Sequence, residues 1–208
     1  MGVPGNLFVV SAPSGAGKTS LLKALVDITD NLRASISHTT RSKRPGEFDG
    51  INYHFISLDT FHSMRASEVF LEHAKVFGNY YGTCKEWVCE QLASGIDVIL
   101  EIDWQGSAQI KHVFPDCVSI FILPPSISSL LERLKARGQD SHEVIHQRMD
   151  QATHELRHLD QYDYIVVNDQ FATALSELQA IVCTARLRML RQVQRHQPLI
   201  EVLFAGKV

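Results

Sequence analysis

Residues 7–22, LFVVSAPSGAGKTSLL, pass from an apolar strand pattern through a glycine-containing loop into a helical pattern that opens with Lys18 and Thr19. Gly15 and Gly17 allow the backbone N–H groups of such a loop to turn inward, and the start of the helix favours anions. Lys18 adds a mobile cation, and the Thr19 hydroxyl is a ligand that suits Mg²⁺. The stretch therefore predicts a phosphate-binding loop between a strand and a helix.

This loop departs at one position from the general pattern G-x-x-x-x-G-K-[ST]. Ala12 stands where the first glycine belongs, and alanine fits there only if its φ is negative. A chance glycine-rich turn before an amphipathic helix is the alternative, but the order of strand, loop and helix favours phosphate binding. The predicted loop residues are Ala12, Pro13, Ser14, Gly15, Ala16, Gly17, Lys18 and Thr19.

Length and composition favour one domain with appendages. The 208 residues carry a net charge of -3 and are 45% hydrophobic, which does not indicate a disordered protein, a membrane protein or a broad basic surface for nucleic acid. The longest apolar runs, such as residues 118–125, are far shorter than the roughly 20 residues that span a bilayer, and residues 1–6 carry no basic leader region. We expect a cytoplasmic protein with small-molecule partners.

Two sequence patterns raise the question of zinc. Residues 142–146 and 154–158 both match H-E-x-x-H, which on a helix can place two zinc ligands and a glutamate on one side. Neither has an evident third ligand at a suitable spacing, and 10 histidines make chance matches more frequent. The four cysteines lack C-x-x-C spacing. We therefore predict reduced cysteines that serve packing, and no zinc site.

Apolar, partly β-branched runs recur along the chain, each followed by a helical pattern. They lie at residues 7–10, 96–102, 118–123 and 164–167, with residues 34–37 as a candidate for one more strand. Such alternation predicts parallel strands that are buried on both faces by crossover helices. The predicted fold class is a doubly wound α/β core.

Two segments interrupt this core pattern. Residues 37–83 combine a basic Gly/Pro loop with alternating and aromatic runs, which predicts a small β-rich insertion. Residues 137–158 are polar with little apolar face, which predicts an exposed, mobile helix that serves as a lid. We predict one domain over residues 5–184 and a tail over residues 196–208. The core covers about 5–36, 84–134 and 159–195, the insertion about 37–83 and the lid about 135–158. The apolar LIEVLF segment of the tail is either docked on the protein or an oligomer contact.

The segment SHTTRSKRPGE, residues 37–47, places hydroxyls and three cations in one loop that contains a Pro-Gly turn. Arg41 and Arg44 carry planar, forked donors that grip a phosphate in a geometry lysine cannot copy. A solvated basic loop is the alternative. Beside the first loop, the segment favours a transferase that acts between two phosphorylated molecules.

Several segments together resemble one family. SAPSGAGKTSL, SHTTRSKRPGEFDGINYHF, FLEHAKVFGNYYGT, EIDWQG, ERLKARG and IVVND occur in the order and approximate spacing of guanylate kinases, from about residue 7 to residue 169. The resemblance implies a P-loop nucleoside monophosphate kinase fold with a GMP-binding insertion. It also implies transfer of the γ-phosphoryl group of ATP, with Mg²⁺, to GMP or dGMP in purine nucleotide metabolism.

The resemblance assigns an acceptor site. It places the GMP phosphate on Arg41, Arg44, Tyr53 and Tyr81, and the guanine beside Ser37, Glu72 and Thr83. Asp103 is a further predicted GMP-binding residue. The chemistry agrees for Glu72, because guanine presents N1–H and N2–H2 as adjacent donors to one carboxylate, whereas adenine presents an acceptor at N1. The family usually has serine where this chain has Thr83.

The resemblance also assigns donor-side residues. Glu101 and Asp103 are separated by one residue at the end of a strand, so they share a face at the carboxyl edge of the sheet and are candidates for ordering magnesium waters and the acceptor. Thr19 and Glu101 are the candidates for holding Mg²⁺, partly through water. Arg133, Arg137 and Arg148 match arginines that approach the phosphates, and Asn168 matches a contact to the donor adenine. The predicted catalytic residues are Lys18, Arg44, Arg137 and Arg148.

Two other functions remain open from the sequence. A related P-loop kinase acting on a phosphorylated sugar would share the core and the lid, but Glu72 and the GNYYGT segment argue against it. A guanylate-kinase-like module that only binds phosphopeptides would share the insertion, but it has no use for Lys18 and Thr19. Assembly into a homo-oligomer is a further possibility that the sequence does not decide.

Overall fold

The computed structural model describes residues 3–136 and 142–206. Its elements in chain order are β1 (Leu7–Ser11), α1 (Lys18–Asp27), β2 (Leu32–Ala34), β3 (His38–Thr39), β4 (His54–Phe55), α2 (Leu58–Ala66), β5 (Phe70–Val76), β6 (Asn79–Cys84), α3 (Lys85–Ala93), β7 (Asp97–Glu101), α4 (Trp104–Val113), β8 (Val118–Leu123), α5 (Ile127–Ala136), α6 (His142–Leu156), β9 (Tyr164–Val167), α7 (Phe171–Arg186), α8 (Met189–Arg195) and α9 (Gln197–Phe204).

Five parallel strands form the central sheet in the order β2-β7-β1-β8-β9. Every residue of β1 is buried, and its side chains alternate between two apolar layers. Phe8 and Val10 pack in the layer that contains α1 and α7, while Leu7 and Val9 pack in the layer that contains α3 and α4. Helices on both faces confirm the predicted doubly wound α/β core.

The strand predicted at residues 34–37 lies earlier in the chain. β2 spans Leu32–Ala34 and pairs with β7, and the last hydrogen bond between them runs from Ser35 N to Ile99 O at 2.9 Å. Beyond that point the chain joins a different sheet at His38. The polar residues Ser35 and Ser37 therefore belong to a connection between two sheets.

A second, smaller sheet has the order β4-β3-β6-β5. Its longest pair is the antiparallel hairpin of β5 and β6, which places Glu72 opposite Thr83. Phe61 of α2 is fully buried and stacks on Phe70 with ring centroids 4.6 Å apart. These aromatic side chains give the insertion a small apolar core of its own beside the central sheet.

Helix α6 differs from the prediction of an exposed helix. Arg148, Ala152 and Glu155 are all buried, and their spacing of four and three residues puts them on one helix face. Ala152 packs in a cluster with Leu130 and Leu134 of α5. The polar sequence hid this face because two of its three buried members are charged.

The carboxyl-terminal helix α9 presents large apolar side chains to the surface, with Leu203 70% and Phe204 89% exposed. Among the described residues, no helix is long and apolar enough to cross a membrane.

Candidate active site

A cleft of about 610 Å³ opens where the carboxyl ends of β1 and β7 face the second sheet. It is lined by the candidates Ala12, Pro13, Ser14, Gly15, Gly17, Lys18, Thr19, Ser37, Arg41, Arg44, Tyr53, Glu72, Tyr81, Glu101, Asp103 and Arg148. Another cavity, of about 790 Å³, lies at the opposite edge of the sheet beside Asp97 and Arg186 and is lined by none of the described candidates. The first cleft is therefore the candidate active site.

The loop between β1 and α1 has the backbone geometry that its glycines allow. Gly15 and Gly17 adopt φ values of 99° and 90°, in the left-handed region that disfavours a Cβ. Ala12 has no positive φ and is buried, as an alanine in this place requires. The Lys18 ammonium donates to Ile102 O at 3.2 Å, which holds it at the carboxyl end of β7.

Two of the predicted donor-side residues lie behind the loop instead of on the cleft. Asn168 is buried and donates through Nδ2 to Ala16 O at 2.7 Å, while Arg133 donates to Asn168 O at 3.0 Å. A Cβ at Gly17 would lie 2.4 Å from Asn168 Nδ2. These side chains brace the loop, and their contact with the donor stays a prediction.

The donor set for a magnesium ion is present. Thr19 Oγ1 donates a 2.6 Å hydrogen bond to Glu101 Oε1, so a hydroxyl of the loop and a carboxylate of β7 meet in the cleft. Such hard oxygen ligands are the type that Mg²⁺ takes, usually together with water and substrate phosphates. Thr19 and Glu101 therefore fit the predicted metal.

The loop at residues 37–47, here called the arginine loop, contains a carboxylate, Glu47, that pairs with its arginines and that the sequence did not identify as important. Glu47 Oε1 lies 2.7 Å from Arg41, and Glu47 Oε2 accepts from Arg44 N at 2.8 Å. The Arg41 guanidinium also lies 5.4 Å from the centre of the Tyr53 ring, and that ring meets Tyr81 edge-on at 5.9 Å. Burial raises the pKa of Tyr53, so its phenol stays neutral and able to donate.

Glu72 is a buried carboxyl group on the insertion side of the cleft. It is 2% exposed, and Thr83 Oγ1 donates to its Oε1 at 2.6 Å. Burial raises the pKa of Glu72 to about 7. Thr83 itself is fully buried beneath Glu72 and lines no part of the cleft, so its hydroxyl acts through the carboxylate.

Helix α6 brings two charged side chains to the cleft from the lid. Arg148 Nη1 lies 3.4 Å from Ser14 Oγ of the phosphate loop. Glu155, two turns further on, is 7% exposed, and burial raises its pKa to about 7 against the opposing effect of the Lys18 charge. The sequence interpretation missed Glu155, although its spacing of seven residues from Arg148 placed both on one helix face. Arg137 lies outside the described residues.

The second H-E-x-x-H segment is occupied by packing. His158 stacks on Trp104 with ring centroids 3.8 Å apart, and His154 lies 5.6 Å from the same ring. The side chains of the first segment lie outside the described part of the chain. Within the described residues no group of three metal-binding side chains occurs, and the four cysteines are free, with Cys89 and Cys183 exposed rather than packed.

The match to known proteins covers nearly the whole chain. A family model described as guanylate kinase matches residues 5–185. This chain belongs to the guanylate kinase family. The guanylate kinases of Saccharophagus degradans and Salmonella paratyphi A are 54% and 55% identical to it, each over 97% of this chain and 98% of the relative. The crystal structure of guanylate kinase from Anaplasma phagocytophilum is 30% identical, with a TM-score of 0.76 over 91% of this chain and 90% of that one.

These matches confirm the predicted family, the P-loop kinase fold and the prediction of a nucleoside monophosphate kinase. They do not assign roles to individual residues, so the role of each residue is argued from the geometry of the cleft.

Proposed function

We propose that this guanylate kinase family member transfers the γ-phosphoryl group of ATP to GMP, giving ADP and GDP, with dGMP as a second acceptor. The observation that carries the proposal is one cleft lined on one side by the phosphate loop and on the other by a buried carboxyl group, Glu72. The first side suits a nucleoside triphosphate, and the second suits a guanine base.

On the donor side, the residues from Ala12 to Thr19 wrap the phosphates with backbone N–H groups, and Lys18 supplies a cation. Thr19 and Glu101 would hold Mg²⁺, partly through water, and the bound ion would neutralise charge on the phosphates. Asn168 and Arg133 contact the loop from behind through Ala16. Asn168 is the proposed neighbour of the adenine, and Arg133 is the proposed neighbour of the donor phosphates.

On the acceptor side, Arg41, Arg44, Tyr53 and Tyr81 bind the GMP phosphate as charged and phenolic donors. Ionised Glu72 accepts from guanine N1–H and N2–H2, while the Thr83 hydroxyl holds the carboxylate in place. An adenine in the same place would set its N1 lone pair against Glu72 and leave a buried charge without a donor, which costs several kcal/mol. Ser37 completes the base site, and Asp103 is the further proposed GMP-binding residue.

Transfer itself needs positioning and charge stabilisation more than proton transfer, because the transferred phosphoryl group carries its charge on the equatorial oxygens. Lys18 and Arg44 approach from the two substrate sides. Arg148 approaches from the lid next to Ser14, and Arg137 is assigned the same role by resemblance. Closure of the lid and the insertion would exclude water and suppress hydrolysis of ATP.

A single coupled assay of ADP formation tests the proposal. GMP, dGMP, AMP, UMP and ribose phosphates are supplied in turn, each with and without Mg²⁺. We expect turnover with GMP and dGMP only, and only with Mg²⁺. Turnover with a ribose phosphate would instead support a sugar-phosphate kinase, and binding of a phosphopeptide without ADP formation would support a binding module.

We place this activity in the cytoplasm, since its substrates are nucleotides of metabolism and the described helices include no membrane span. Assembly into homo-oligomers stays a prediction.

A further inference from the structure

The tip of the β5–β6 hairpin has an unexpected residue. Val76 pairs with Asn79, so Phe77 and Gly78 form a two-residue turn, with φ values of 49° and 78°. Turns with positive φ at both central positions favour Asn-Gly, Asp-Gly or Gly-Gly, and a bulky residue at the first position is strained. Phe77 is also 44% exposed, so its ring is only partly buried.

The ring of Phe77 has a partner on the other side of the cleft. The guanidinium carbon of Arg148 lies 5.7 Å from the centre of this ring, within the range of attraction between a cation and an aromatic face. The same guanidinium reaches Ser14 of the phosphate loop at 3.4 Å. One side chain of the lid helix therefore bridges the insertion and the donor loop.

Sequence rules are broken most often where function demands it, and backbone strain concentrates at such sites. Asparagine in place of Phe77 would suit the turn better but would present no aromatic face to Arg148. We propose that Phe77 is a positioning residue that seats the Arg148 guanidinium over the donor phosphates, so that the insertion and the lid act on the phosphoryl group together. The inference rests on the proposed role of Arg148 in phosphoryl transfer.

The contact joins two parts of the molecule that handle different substrates. Phe77 belongs to the insertion that is proposed to bind GMP, whereas Arg148 belongs to the lid. The position of the catalytic cation therefore depends on the insertion that carries the acceptor.

Phe77→Asn separates a positioning role from a structural one, because the two effects have opposite signs. Relief of strain in the turn raises Tm by about 2 °C or more. Loss of the aromatic face lowers kcat on the order of ten-fold, with smaller changes in KM for ATP and GMP. Phe77→Tyr keeps the face and restores kcat, and Phe77→Leu keeps apolar bulk without the face and shows the same fall in kcat. Phe204→Asn, at an exposed aromatic of α9 outside the cleft, is the matched control with wild-type kcat.

A double-mutant cycle with Arg148→Ala tests separately the proposed role of Arg148 in phosphoryl transfer and the proposed role of Phe77 in positioning Arg148. We expect Arg148→Ala to lower kcat strongly and Phe77→Asn to add no further loss in that background. If Arg148→Ala turns over normally, the proposed role of Arg148 fails, and the inference fails with it. If Arg148→Ala is impaired but Phe77→Asn is not, or if the two losses simply add, the inference alone is overturned.

Discussion

Thr83 Oγ1 donates a 2.6 Å hydrogen bond to Glu72 Oε1, and both side chains are buried, although only Glu72 lines the cleft. The two residues are directly paired across β5 and β6, next to an irregularity between Phe70 and Glu72 that shifts the strand register. The hairpin thus orients the carboxylate from below and leaves its other oxygen for a ligand.

The raised pKa of Glu72 predicts a pH dependence of GMP recognition. Its pKa is about 7 and guanine requires the ionised carboxylate, so KM for GMP should rise as pH falls below 7, by up to about ten-fold per pH unit. The GMP phosphate also titrates in this region. Glu72→Gln separates the two titrations. In this variant KM for GMP still follows the titration of the GMP phosphate, but it no longer follows the titration of Glu72, and the preference for GMP over AMP is lost. The same pH profile in both proteins would contradict the assignment of Glu72.

Glu155 predicts a pH-dependent stability. Its folded-state pKa of about 7 lies above the ordinary value of 4.5, so between these values the folded state binds more protons than the unfolded state. Stability therefore falls as pH rises through this window. Glu155→Gln should match the wild type below about pH 4.5 and exceed it at pH 8, on the order of 2–3 kcal/mol. Thermal unfolding at both pH values measures the difference, and an equal gain at pH 4 and pH 8 would count against it.

Periodicity in the sequence predicted the central sheet well where its strands are buried on both faces, as in β1 and β8. The run at 118–123 coincides with β8, and the run at 164–167 coincides with β9 even though three of its four residues are exposed. Prediction was less accurate for short edge elements such as β2, where three residues carry too little pattern to fix a register. The helix α6 was misjudged for another reason, since charged Arg148 and Glu155 are buried only because a polar cleft receives them.

Motif spacing placed most candidates on one cleft, but it did not predict which of them act through others. Thr83 reaches the cleft only through Glu72, and Asn168 only through the backbone of Ala16. Such relations depend on side-chain geometry between elements distant in sequence. Phe77 could not be identified from the periodicity of the sequence, because the feature that distinguishes it is a positive φ in a turn, which the dipeptide Phe-Gly does not favour.

Lys18 provides a separate test of the donor side. Lys18→Ala should cut kcat by 100-fold or more, on the order of 3 kcal/mol of transition-state stabilisation, because it removes a preorganised cation from the phosphates. GMP binding, measured calorimetrically, should change little, since Glu72 and the arginine loop are untouched. Normal turnover in this variant would refute the assignment of the phosphate loop.

The contact between Thr19 and Glu101 predicts a metal phenotype. Thr19→Val replaces the hydroxyl by a methyl group of similar size, so the Mg²⁺ concentration for half-maximal activity should rise on the order of ten-fold. Thr19→Ser keeps the hydroxyl and should behave like the wild type. Ser20→Ala, at the neighbouring exposed hydroxyl outside the cleft, serves as the control. An unchanged Mg²⁺ dependence in Thr19→Val would remove Thr19 from the metal site.

Gly106 is expected to affect base recognition through Glu72. It lies in the first turn of α4 with no positive φ, so alanine suits its backbone and should favour the helix by up to about 1 kcal/mol. However, a Cβ there would lie 2.4 Å from Glu72 Oε2, and the flexible carboxylate is the group that must move. Gly106→Ala should therefore raise KM for GMP on the order of ten-fold, with KM for ATP and Tm little changed. In a Glu72→Ala background the same substitution should have no further effect on KM for GMP, because the group it displaces is gone. A loss that persists in that background would mean that Gly106 acts on the helix itself and not on the carboxylate.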